Sequence, residues 1–379
     1  MLDLIIGFAV IVILIRKKVN YGLSMILGGI AIGLINRFDL SDFSYILQKS
    51  ALEYSTLRLI CIVSMINILG YLLRDFGQVD KALENLRFLG SKNILILIPA
   101  IFGLMPMPGG ALVSAPIIDP EASKLDISQE YKTFINFWFR HVIFFIFPLS
   151  GAIILASELG NLSVYRIILY QIPFFFLAIF LGLWKIRGIK NENKNKDLSI
   201  LFIWYFLPII LVIVLNIFLG LDFIYGLIIA IILVFMQNKS KNFKMILKGF
   251  SYNLVIAIFG IMFFRFTVEK TGLIESFLID WLPMELLIVI IPWIMGLATG
   301  LSMAAIGITF PLLLPLTTSP VHVSILYVSC VLGYLLSPLH LCLIVTKEYY
   351  KSNLGKVYKL FLPLLLILLL CNLIYAFLV

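Results

Sequence analysis

Charge is scarce in this chain. Asp, Glu, Lys and Arg make up 13% of its 379 residues, against about 25% in an ordinary soluble domain. So little charge cannot clothe a globule that is 62% hydrophobic, so lipid must be the solvent. Cysteine is scarce too: Cys61, Cys330, Cys342 and Cys371 all lie in apolar runs and make no close-spaced pair. That argues against zinc ligation and against a disulfide framework, and leaves buried free thiols as the expectation. No His-Glu-x-x-His, no phosphate-cradling loop ending in Gly-Lys-Ser/Thr and no Gly-x-Ser-x-Gly elbow occurs, so an enzyme is not expected. All 20 acidic residues fall in loops or at span ends, which leaves no mid-span carboxylate to carry a proton.

The net charge of +9 comes from basic residues scattered between apolar runs. That pattern fits cytosolic loops of a multi-pass membrane protein and not a nucleic-acid surface. The first apolar run precedes Arg16-Lys17-Lys18, the reverse of a cleavable signal, and reads as a retained span.

Apolar segments fall at 2–16, 20–36, 56–73, 93–118, 131–157 and 164–184, and again at 199–219, 222–236, 251–267, 285–317, 322–346 and 357–378. Two of them are interrupted. The first carries Pro99, Pro106, Pro108, Gly109, Gly110 and Pro116; the second carries Pro292, Gly296, Thr299, Gly300, Gly307, Pro311 and Pro315. Proline removes a helix donor and glycine permits a reversal, so each predicts a re-entrant hairpin of two half-helices. Charge favours re-entry over crossing. With both hairpins re-entering and both termini extracytoplasmic, most of the 29 Lys and Arg gather in cytosolic loops around 16–18, 74–92, 124–132, 185–197, 239–248 and 347–359.

The two series also resemble each other. Tyr21-Gly22-Leu23 matches Tyr225-Gly226-Leu227, Ile46-Leu47 matches Ile246-Leu247, Ile98-Pro99 with Gly103 matches Ile291-Pro292 with Gly296, and Val164-Tyr165 matches Val357-Tyr358. Five crossings plus one hairpin per half force the second half upside down. The expected fold is therefore all-α, with about ten spans in two inverted repeats, 1–184 and 199–379, joined by a basic cytosolic linker at 185–198. Many secondary transporters place a site at the midplane this way.

A half-helix that ends inside lipid leaves backbone groups in need of a partner, positive at its N-terminus and negative at its C-terminus. Candidate substrate-binding positions at the hairpin tips are Pro108, Gly109, Gly110, Ser114, Thr299, Gly300 and Ser302. The spans after the hairpins are broken too, and add Asn136, Arg140, His141, Ser337 and His340. Arg140 lies well inside its span, where an arginine costs about 2.5–3.5 kcal/mol and faces a partner or a wet cavity. An anionic substrate and pairing with a helix end or carbonyl compete to explain it. Arg265, nearer a span end, reads as a snorkelling side chain. A coupling sodium ion could be held through carbonyls or a hydroxyl at Gly109, Gly110 and Thr299; a histidine could carry a proton instead.

The runs MPMPGGALVSAPIID (105–119), FWFRHVIFFIFPL (137–149) and SPLHLCLIVTKEYY (337–350) resemble the membrane family called domain of unknown function 401. That resemblance implies the ion transporter superfamily, beside gluconate and C4-dicarboxylate permeases. It also implies inverted repeats with an elevator-like motion, cation-coupled organic-anion transport, and a fold compatible with a homodimer. The Ser-Asn-Thr hairpin signatures of sodium–dicarboxylate members are absent. The expected function is secondary transport of a small carboxylate in the plasma membrane, with no cofactor beyond Na+ or H+ and no nucleic-acid partner. A cation/proton antiporter and a non-transporting scaffold are the alternatives.

Overall fold

In hydrocarbon every backbone N–H must find a carbonyl within its own segment, so apolar runs of this length become helices. The computed structural model describes residues 2–85, 90–104, 110–189, 201–240, 242–272, 283–317 and 319–379, and among them no strand occurs. α1 (Leu2–Arg16) and α2 (Tyr21–Ile35) lead to α3 (Leu40–Leu52), α4 (Tyr54–Asp75) and α5 (Gln78–Glu84). The first hairpin is α6 (Ser91–Gly103) and α7 (Gly110–Lys124); α8 (Gln129–Val142), α9 (Gly151–Gly160) and α10 (Val164–Lys185) follow. The second series is α11 (Leu201–Leu219), α12 (Phe223–Gln237), α13 (Lys244–Gly249) and α14 (Tyr252–Thr271). Then come α15 (Met284–Thr299), α16 (Ser302–Leu313), α17 (Pro320–Leu336), α18 (Leu341–Tyr350) and α19 (Leu354–Leu378).

Starts are set by caps where polar residues are available. Asn20, Ser128, Ser163, Asp222 and Asn353 each accept a backbone N–H of the helix they open, and Asp39 with Asp42 forms a capping box on α3. Among the described residues, the α4, α10, α11 and α19 helices and the α17–α18 pair are long and apolar enough to cross a membrane. On α10, Leu169, Phe176 and Phe180 are about 60% exposed while Ile167, Phe174 and Ala178 on the other face are buried. Each such side chain left in water would forgo about 1.5–3 kcal/mol, a loss that lipid removes.

Both interrupted segments are pairs of short helices packed on each other, not continuous rods. The span expected at 131–157 is α8 and α9 separated by a 3-10 turn at Ile143–Phe145, and 322–346 is broken at Ser337–His340. Three short helices, α3, α5 and α13, occupy stretches that hydropathy assigns to loops. Among the described residues the helix order recurs in the second series, α5 excepted. Residues 190–198 of the expected linker lie outside the described residues, as do Pro108 and Gly109.

Packing does not follow the midpoint of the chain. α2 lies against α14 and α4 against α12, with α3, α5, α11 and α13 joining this body. α6–α10 and α15–α19 make a second body, in which α7 and α8 touch α18 and α9 touches α16. The two bodies meet chiefly where α14 contacts α16 and α4 contacts α9. In each hairpin a glycine brings two backbones together: a Cβ on Gly103 would sit 2.2 Å from the Arg140 carbonyl oxygen, and one on Gly296 would sit 2.4 Å from that of Cys330. This close approach accounts for the matched Ile-Pro…Gly pattern.

Candidate functional site

The helix breaks converge. A cavity of about 270 Å³ is lined by Gly103 at the end of α6, Arg140 of α8, the starts of α9, α16 and α18, and the side chains of Phe144, Phe147, Met303, Tyr334 and Leu339. Ser150, Gly151 and Ala152 open α9; Leu301, Ser302 and Met303 open α16; Leu341 and Cys342 open α18. None of these three helices has a side-chain cap. Each start therefore presents first-turn N–H groups, equivalent to about half a positive charge, toward one space.

Arg140 is 3% exposed and lines the same cavity. Its guanidinium donates to the carbonyl of Phe102 in the last turn of α6 (2.7 Å). The sequence leaves two explanations for this arginine, and carbonyl pairing at a helix end is present. The contact also sets the guanidinium beside three positive helix ends with no described carboxylate lining the wall.

The second tip is shaped by Gly300, whose φ of +64° favours glycine and whose added Cβ would lie 2.7 Å from Cβ of Leu339. Ser337 holds that tip from behind: its hydroxyl donates to the Leu297 carbonyl (2.7 Å) and accepts the Leu339 N–H. Thr299 donates to the Met295 carbonyl (2.8 Å), so its hydroxyl is engaged within the tip. Gly110 is the first residue of α7.

Ser114 and Asn136 do not line the cavity. The Ser114 hydroxyl donates to Asn136 Oδ1 (2.6 Å), and Asn136 Nδ2 donates to the Ala111 carbonyl and to Thr346 Oγ1. They brace α7, α8 and α18, as does the Tyr350 hydroxyl donating to the Ala115 carbonyl (2.9 Å). His141 and His340 lie side by side, ring centres 4.7 Å apart and both essentially unexposed. Each Nδ1 is at hydrogen-bonding distance from a carbonyl, that of Phe137 (2.6 Å) and that of Tyr334 (3.1 Å), while both Nε2 atoms meet no partner. A buried polar atom left so costs about 1–3 kcal/mol. Among the described residues, His141, His340 and Cys342 are the one group whose His, Cys or carboxylate donors could share an ion. Arg265, by contrast, pairs with Glu269 one turn on (2.8 Å).

Of the sequence candidates, Arg140, Gly300 and Ser302 come together at the cavity. Tyr334, Cys342 and the Ser150-Gly151 start of α9 are additions. Tyrosine and cysteine pass for core in an apolar run; the Ser-Gly pair directly after Pro148 and Leu149 was a readable helix start.

Residues 1–378 match the family described as Protein of unknown function (DUF401). The chain belongs to this family. The fold of this DUF401 protein is similar to that of the Alcanivorax borkumensis YdaH transporter, whose crystal structure is described as revealing an unusual topology. The two superpose with a TM-score of 0.60 at 13% identity, over 89% of this chain and 88% of that one. No curated protein matches the chain. The sequence is thus that of a DUF401 membrane protein, and its fold is one used by a transporter.

Proposed function

We propose that this protein is a secondary transporter of a small organic anion, working by alternating access. The observation that carries this reading is the meeting of three uncapped helix starts and the buried Arg140 on one cavity. Such an electropositive pocket inside lipid suits a carboxylate. The apolar wall of Phe144, Phe147, Met303 and Leu339 suits a short hydrocarbon or aromatic body. The organisation we propose is two inverted repeats, each of five crossings and one re-entrant hairpin, with both termini extracytoplasmic and the basic loops cytosolic. Its support is that described ion pairs join residues assigned to the same face: Arg58 with Glu158 and Asp222, and Lys270 with Asp42, on the outer one; Lys132 with Asp119 on the inner one. The body holding both hairpins is the part that would slide against the other, as in an elevator.

A negative charge entering an inside-negative cell costs about 2.3 kcal/mol per 100 mV, so uptake requires at least one cation, Na+ or H+, per substrate charge. The test is thermal stability of the purified protein against a panel of mono- and dicarboxylates, with and without sodium, at two pH values. Stabilisation follows saturation of the folded state. At least one carboxylate should raise the melting temperature of the wild type, less so for Arg140→Lys and not at all for Arg140→Gln. A panel that moves nothing rules the anion reading out.

A further inference from the structure

We propose that His141, His340 and Cys342 form a binding site for a soft late-transition-metal ion, Zn2+ or Cu+, beside the cavity that Cys342 lines. His141 lies in the last turn of α8, and His340 and Cys342 frame the start of α18. One donor atom from each residue lies within 4.8 Å of the other two. Ligands sharing one tetrahedral ion, at about 2.0–2.1 Å for nitrogen and 2.3 Å for sulfur, stand somewhat closer, within reach of side-chain rotation.

The protonation pattern identifies the occupant. A carbonyl can only accept, so each Nδ1, facing the Phe137 or Tyr334 carbonyl, carries the ring proton and donates it. Both Nε2 atoms are then bare lone pairs, which is the state that hydrogen-bonded second-shell carbonyls impose on metal-ligating histidines. Two acceptors cannot satisfy one another. Buried without partners on rings whose centres are 4.7 Å apart, they call for a cation. Cys342 supplies the discriminating ligand: it is 7% exposed, borders the cavity and sits in the first turn of α18. On binding, the Cys342 thiol releases its proton to solvent, and the thiolate offsets one positive charge beside Arg140. Two imidazoles and a thiolate suit Zn2+ or Cu+, whereas Na+, Mg2+ and Ca2+ ask for oxygen. Cys342 borders the cavity of the anion reading, but the metal site rests on other side chains, so either can fail alone.

The test uses the full-length protein in detergent, affinity tag removed and metals stripped with a chelator. Co2+ serves as the probe for Zn2+, and redox-inert Ag+ as the probe for Cu+. About one ion per chain should bind, and Co2+ should give a thiolate-to-metal charge-transfer band with the strong visible bands of four-coordination. Cys342→Ser should abolish that band and weaken binding about tenfold or more, as should His340→Gln, while Cys371→Ser changes neither. Because Cys342→Ser could also disturb folding, protection of the wild-type Cys342 thiol from maleimide by bound metal gives an independent reading. Co2+ binding assigns the site to Zn2+, and Ag+ binding alone assigns it to Cu+. Negligible binding of both probes, or a spectrum unchanged in Cys342→Ser, overturns the proposal.

Discussion

Single residues here are legible in proportion to how badly they suit lipid. Arg140 stands out because a charge inside an apolar run needs a partner or a wet cavity, and it has the Phe102 carbonyl and a place on the cavity wall. Tyr334 and Cys342 line the same wall yet look like core, so only their neighbours in space mark them. Arg58, near the start of the 56–73 segment, bridges Glu158 and Asp222 in the fold, each at 2.8 Å. Burial works to raise the Asp222 pKa, but its hydrogen bonds from Arg58 and the Ile224 N–H and the Arg58 charge outweigh this and hold it below the usual carboxylate value. A carboxylate depressed in the folded state contributes stability above its unfolded pKa of about 4, and loses it as pH falls through the lower folded value. Asp222→Asn keeps the cap on α12 and removes the charge. It should cost about 0.5–1 kcal/mol at pH 7, allowing for solvent screening, and progressively less as the pH is taken below 4. Equal losses at both ends of a pH series of thermal melts would count against the ion pair.

At the level of helices, the Pro/Gly interruptions were readable because proline and glycine act locally, and both hairpins fall where they point. The short α3 and α13 were not, because brief helices with polar residues carry no hydropathy signal. Their only trace was the match of Ile46-Leu47 with Ile246-Leu247. Helix approach is governed by what is missing at Gly296, where a side chain would push into the Cys330 carbonyl. Gly296→Val should therefore lower stability by about 1–3 kcal/mol, the range of an overpacked core, by prising α15 from α17. Gly188→Ala, where nothing lies within 4 Å, should leave the melting temperature unchanged. If both variants melt alike, close packing of α15 on α17 is not what Gly296 provides.

Across the whole molecule, the proposed sidedness rests on charge placement, since lysine and arginine are counted one loop at a time. The division into two bodies had no such signal: which helix of one half meets which of the other is a matter of contacts that no local pattern encodes. Sidedness can be checked in a variant lacking the four native cysteines. Single cysteines replacing Leu40 and Leu219, both well exposed, should react with an impermeant maleimide from outside intact cells. Cysteines replacing Lys17 and Lys351 should react only after the membrane is opened. Labelling of Leu40 and Lys351 from the same side would dismantle the proposed topology.

The crossing of partners between halves also bears on biosynthesis. When the ribosome has delivered α1–α10, α2 still lacks α14 and α4 still lacks α12; the Ser114–Asn136 brace still waits for Thr346 of α18. The first half thus emerges with unfinished faces and must be held open in the bilayer until the last helices arrive, so a nascent chain truncated after α14 would complete one body and leave the other half-built.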